Sequence, residues 1–198
     1  MKITILTIIL GFFVTNLYGQ TSFSIIEMKI NTIENNNSTE IIYSNSSISI
    51  NFAINRKVTE MKPQNFVKID DQIIQFSLLK INDDKKNFNN VNLNDQKQLL
   101  IDYSDYEIKY FKSELKIKIL NPNNQWVLSK LREWFIWYFR IGDLNDKVEK
   151  PTEIQLFSTT IIENKILVIN APILKNGDFK KASYIVNELM ESLNNNKK

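Results

Sequence analysis

The chain has 198 residues, a formal net charge of +3, and neither cysteine nor histidine. Without thiol or imidazole it has no disulfide scaffold, no thiol nucleophile, no thiolate or imidazole metal site and no Ser-His-Asp or Cys-His catalysis. So mild a charge points neither to nucleic acid nor to an anionic membrane, and four scattered glycines provide no Gly-rich phosphate loop.

Residues 1–20 read as a cleavable signal peptide. Lys2 is a minimal basic start, Ile3 to Val14 is uncharged and apolar, and Gly19 supplies a small residue, so cleavage is expected after Gly19 or Gln20. The apolar run is too short for a comfortable membrane-spanning helix, which needs about 20 residues. The remainder, 21–198, suits a single periplasmic or secreted domain with no membrane anchor after cleavage. A lipid-anchored form would need a cysteine after the leader.

Ser22 to Asn31 reads as a first strand, and the polar stretch Glu34 to Glu40 as a loop. Ser47 to Ile54 alternates cleanly, with Ile48, Ile50, Phe52 and Ile54 on one face. After the interruption at Pro63, Phe66 to Asp70 and Gln72 to Asn82 form an expected hairpin turning at Asp70-Asp71. Its second arm sends Ile74, Phe76 and Leu78 one way and Ile73, Leu79 and Ile81 the other. Asn82 to Asn92 is a polar loop.

Asn94 is the expected cap of a helix over Asp95 to Lys112, whose apolar stripe would be Leu99, Tyr103, Tyr106 and Tyr110. Leu115 to Leu120 alternates, and Asn121-Pro122-Asn123-Asn124 reads as a turn. Trp126 to Ile141 fits a helical stripe through Val127, Leu131, Trp134, Tyr138 and Ile141. Its density of aromatic and β-branched residues favours a doubly buried strand from Glu133. Gly142 to Pro151 is a charged loop. Thr152 to Ile162 and Lys165 to Ala171 form a hairpin turning at Glu163-Asn164. Asp178 caps a last helix with its stripe at Phe179, Ala182, Val186, Leu189 and Leu193, and residues 194–198 read as a solvated tail. Antiparallel strands with two main helices give an α+β sandwich.

The aromatic strand Trp134 to Phe139, the hairpin Gln155 to Ala171 and the helix Asp178 to Leu193 together resemble the small α/β/α sandwiches of the Mog1/PsbP type among exported bacterial proteins. The resemblance covers the C-terminal half to two thirds of the chain after the leader. It implies a non-enzymatic binding role and carries over no functional residue.

Catalytic candidates are weak in sequence. Neighbours in Asp70-Asp71 and Asp83-Asp84 point apart and make no glycosidase pair, whose carboxyls must face each other. Asp143, Asn145, Asp146 and Glu149 offer oxygen ligands, but Lys147 and the missing central glycine break a calcium-loop pattern; Asp102-Tyr103-Ser104-Asp105 fails similarly. Ser129-Lys130 and Ser183 near Lys180 would need a buried lysine beside the hydroxyl.

The remaining candidates are aromatic. Trp134, Phe135, Trp137, Tyr138 and Phe139 lie between Arg132 and Arg140. They read first as core and second as a ring-stacking surface in which Trp134, Trp137, Tyr138 and Arg140 contact a ligand or partner. Tyr103, Tyr106 and Tyr110 read the same way. The expectation is a non-enzymatic envelope domain, without cofactor, metal or nucleic acid, that binds a protein or a small apolar or sugar ligand. An immunity or inhibitor protein against an exported toxin and a histidine-free carboxylate hydrolase are the alternatives.

Overall fold

The computed structural model describes residues 23–81, 92–130, 132–142 and 151–196. The expected signal peptide, the loop with Asp83-Asp84 and the candidate calcium ligands 143–149 lie outside the described residues.

The described chain is mostly antiparallel β-sheet with two helices, an α+β fold. One sheet has the order β5 (Val58–Glu60), β6 (Phe66–Ile69), β7 (Gln72–Ile81), β11 (Lys165–Leu174), β10 (Thr152–Ile162), β9 (Glu133–Ile141), β8 (Ile119–Leu128). β1 (Phe23–Ile26) also pairs with β7. A second sheet runs β12 (Asn194–Asn196), β4 (Ser49–Ile54), β3 (Ser38–Ser44), β2 (Lys29–Asn35). Helix α1 spans Leu93–Ser113 and α2 spans Phe179–Ser192. No described helix is long and apolar enough to cross a membrane.

Because side chains alternate along a strand, the large sheet serves two cores. Ile74, Phe76 and Leu78 of β7 pack with Trp134 and Ile136 of β9, with β4 and with α2. Leu79 and Ile81 of β7 pack instead with Phe135, Trp137 and Phe139 of β9 and with α1. The split of β7 into two faces is the one its alternation predicts. The layers are therefore α1, the large sheet, and then the small sheet beside α2.

Both hairpins turn where expected. Asp70 takes a φ of 51° between β6 and β7. Glu163 and Asn164, at φ 45° and 62°, close β10 on β11 as a two-residue loop whose twist matches the strands. Asp178 caps α2 by accepting from the Lys181 amide.

Five local expectations are corrected. The first strand is two: β1 joins the large sheet, and β2 joins the small one after a break at Glu27-Met28. The loop over Glu34 to Glu40 shrinks to a turn at Asn36-Asn37, because β3 pairs with β2 from Asn35↔Ser38 onward. The cap of α1 is Asn92, whose side chain accepts from the Asp95 amide; Asn94 lies inside the helix. Asn121-Pro122 is a bulge within β8, which resumes pairing at Asn123↔Tyr138 and runs on to Leu128. Asn194 is not the start of a solvated tail, since β12 adds to β4 through Asn194↔Asn51.

Candidate functional site

Most of the aromatic strand is core: Trp134, Phe135, Trp137 and Phe139 are buried. Trp134 and Trp137 are fully buried on opposite faces of the large sheet. Trp134 donates through Nε1 to Asn187 Oδ1 of α2 at 3.2 Å. Trp137 stacks on Phe157 at 3.9 Å between ring centroids. Neither indole is open to a partner, so the core reading of these two describes them and the contact reading does not. Tyr138 is half-buried with its edge against Phe179 of α2 at 4.9 Å. Arg140 is exposed and bonds Glu153 on the neighbouring strand.

The tyrosines of α1 differ in burial. Tyr103 is fully buried and meets Trp137 edge-on at 6.3 Å, whereas Tyr106 is exposed at the rim and Tyr110 half-buried. The buried stripe is Leu99, Tyr103, Glu107 and Phe111, spaced by four. The helix is turned relative to the tyrosine stripe because Phe111 outweighs Tyr110 in apolar surface and sits on Phe139 at 5.1 Å.

Glu107 is the residue that a hydrophobic stripe hides. It is 1% exposed, and its Oε2 has no hydrogen-bond partner. Nearby, the Tyr103 hydroxyl and Trp137 Nε1 are buried and unpartnered as well. Burial pushes the Glu107 carboxyl up to about 8, with the Tyr103 hydroxyl a smaller influence in the opposite direction. The Tyr103 hydroxyl is itself raised by burial and then by Glu107.

A second polar group on the same face of the sheet also escapes the sequence. Asn170 of β11 donates from Nδ2 to Gln155 Oε1 of β10 at 3.0 Å and lies opposite Gln75 of β7, all three buried. Their only signal in the sequence is a polar residue in an otherwise apolar strand.

Of the acids singled out in sequence, Asp70 and Asp71 form ion pairs. Asp70 Oδ2 and Glu188 Oε2 both bond Arg56, each at 2.7 Å. Asp71 pairs with Lys68, and the Lys68 bond holds its carboxyl below the usual range, helped by Lys181. The Ser104 hydroxyl donates to the Ile101 carbonyl one turn back. Among the described residues no group of three or more Asp and Glu is arranged to hold a metal ion.

Near the end of the β8–β9 hairpin two large apolar side chains are exposed. Leu128 of β8 is 78% exposed and Leu93, the first residue of α1, 59% exposed. Lys97, one helical turn after Leu93, bonds Glu133 at 2.7 Å and lies over the Trp126 ring at 5.0 Å. Glu133 faces Leu128 across the hairpin, so both leucines flank one ion pair.

No family model, no curated protein and no solved structure matches the chain.

Proposed function

We propose that the protein is an exported, non-enzymatic binding domain whose contact surface is the tip of the β8–β9 hairpin together with the start of α1. The supporting observation is the pair of exposed leucines, Leu93 and Leu128, set around Lys97–Glu133 and the half-buried Trp126. Large apolar side chains held out in water cost solvation and gain it back when a partner covers them. The rigid scaffold under them, a sheet end clamped to a helix by an ion pair, keeps that cost from being relieved by collapse. A protein partner suits exposed leucines at a hairpin end better than a small ligand, which prefers a concavity.

The ordering of layers, with α1 on one side of the large sheet and α2 on the other, supports a Mog1/PsbP-like sandwich as the finer description of the architecture. An inhibitor of an exported toxin would use the same tip, and nanomolar co-purification with such a toxin separates it from other binders.

Site-specific photocrosslinking in the envelope of the source cell tests the reading. A photoreactive residue at 128 is expected to give a discrete adduct that disappears with Leu93→Lys, while one at exposed Asn36 gives none. N-terminal sequencing of the envelope form is expected to begin at Gln20 or Thr21. Equal labelling from 128 and 36, or substrate turnover abolished by one Ser, Asp or Lys substitution, would overturn the reading.

A further inference from the structure

The interface between α1 and the sheet contains an acid where an apolar residue would be expected. Glu107 lies four residues from Tyr103 and four from Phe111, and both flanking rings are fully buried against the sheet. Phe111 contacts Phe139 and Phe157, and Tyr103 contacts Trp137, so the carboxyl is placed over an aromatic floor. Phe23 of β1 closes the side next to Tyr103 at 5.3 Å.

Among the described residues no cation meets this carboxyl. Among the described residues, β9, β10 and β1 turn the rings just named toward this side, β8 adds Trp126 and Ile119, and the polar residues β10 places on the same face, Gln155 and Thr159, are uncharged. On the helix its titratable neighbours are the phenols of Tyr103 and Tyr106, with Glu114 adding only negative charge near Tyr106. Lys97, on the same helix, is engaged by Glu133. An ionised carboxylate stripped of water without a counter-charge is strongly disfavoured, so the docked helix holds Glu107 as the neutral acid.

We infer that α1 is a pH-sensitive flap, seated on the aromatic face of the sheet only while Glu107 keeps its proton and opening with release of that proton. The balance is simple: docked helix with the neutral acid becomes open helix with a hydrated carboxylate and one proton in solvent. The surface uncovered is the aromatic floor of Trp137, Phe139 and Phe157, which is otherwise sealed.

The sign follows from linkage. In the open state Glu107 is an ordinary glutamate, near 4.5; docked, it titrates near 8. Docking is therefore at full strength below pH 4.5, and opening becomes about tenfold easier for each pH unit between those values. Above about 8 both states are ionised and the dependence levels off.

Amide hydrogen exchange on the full chain reads this directly. Protection of α1 amides is expressed relative to β10 amides in the same sample, which removes the intrinsic pH dependence of exchange. In the unaltered protein the ratio is expected to fall about tenfold per pH unit between 5 and 8 and then flatten. Glu107→Gln is expected to remove the dependence, and Glu107→Leu, which needs no buried polar contact, to do the same if the amide disturbs folding. A ratio independent of pH in the unaltered protein would overturn the inference. So would an undiminished slope in both variants, or a loss of protection shared equally by α1 and β10, which would mean global unfolding and no flap.

Discussion

Arg56 donates from Nε to Glu188 Oε2 at 2.7 Å, bonding the turn after β4 to helix α2 across 132 positions of sequence. The same guanidinium donates from NH1 to Asp70 Oδ2 at 2.7 Å and lies over the Tyr184 ring at 5.1 Å. One planar fork thus joins the small sheet, the β6–β7 turn and α2, and Glu188 is the first cause that raises its pKa.

Replacing Arg56 with Met is expected to destabilise the protein by about 1–2 kcal/mol, since the two charge-assisted bonds are only partly shielded from water. Arg56→Lys should recover little, because an ammonium on a flexible stem does not reproduce two diverging N–H donors. Urea unfolding of Arg56→Met, Glu188→Gln and the double variant checks this: the double variant should cost clearly less than the two singles added together. Additive costs would mean that the pair contributes nothing.

Trp134→Ala is expected to cost about 3–5 kcal/mol, from the cavity and from the stranded Asn187 amide. Of the three tryptophans, only half-buried Trp126 should be quenched efficiently by acrylamide in the native state. Efficient quenching of Trp134 or Trp137 in single-tryptophan variants would contradict their burial.

Removal of residues 194–198 is expected to lower stability by about 1–2 kcal/mol, through loss of the backbone bonds between β12 and β4. It should also open β4 as a new sheet edge, so that association rises with protein concentration. Thermal melts and light scattering of the truncated chain test both. Unchanged melting and a monodisperse sample would show the segment to be dispensable.

Gly177→Ala should destabilise by roughly 1–3 kcal/mol, because a Cβ there would stand 2.8 Å from the Leu174 carbonyl oxygen, which belongs to the backbone and cannot swing away. Asn164→Gly should be tolerated in comparison, since its φ of 62° already suits glycine. Asp178→Ala should cost about 1 kcal/mol as the lost cap of α2. Melting temperatures in that order, with Asn164→Gly nearest the unaltered protein, are the expected outcome.

The architecture was legible wherever burial follows a clean period. β4, β7 and α2 show their buried faces in the spacing of Ile, Phe and Leu alone, and the turns at Asp70-Asp71 and Glu163-Asn164 show theirs in residues that accept positive φ. The errors arise where one residue outweighs a pattern. Tyr103, Tyr106 and Tyr110 make a plausible stripe, yet the true one passes through Glu107, which any polarity scale places in solvent. Asn121-Pro122 has the chemistry of a turn, but the pairing on either side of it is strong enough to reduce it to a bulge. β12 has no apolar residue to announce it; only the unpaired backbone of β4 gives it a place. The exposed leucines of the candidate surface carry no signature, because a leucine near a strand end reads as core until its neighbours are placed.

The bulge in β8 also shapes an open edge of the large sheet. β8 closes the large sheet and has no described strand beyond it, a geometry that invites runaway stacking of one copy on the next. Pro122 lacks an amide hydrogen, and the irregularity between Leu120 and Asn123 breaks the straight line along which a foreign strand would zip. Along this edge the regular pairing geometry is confined to the run from Asn123 to Leu128, a shorter template than the whole strand would offer.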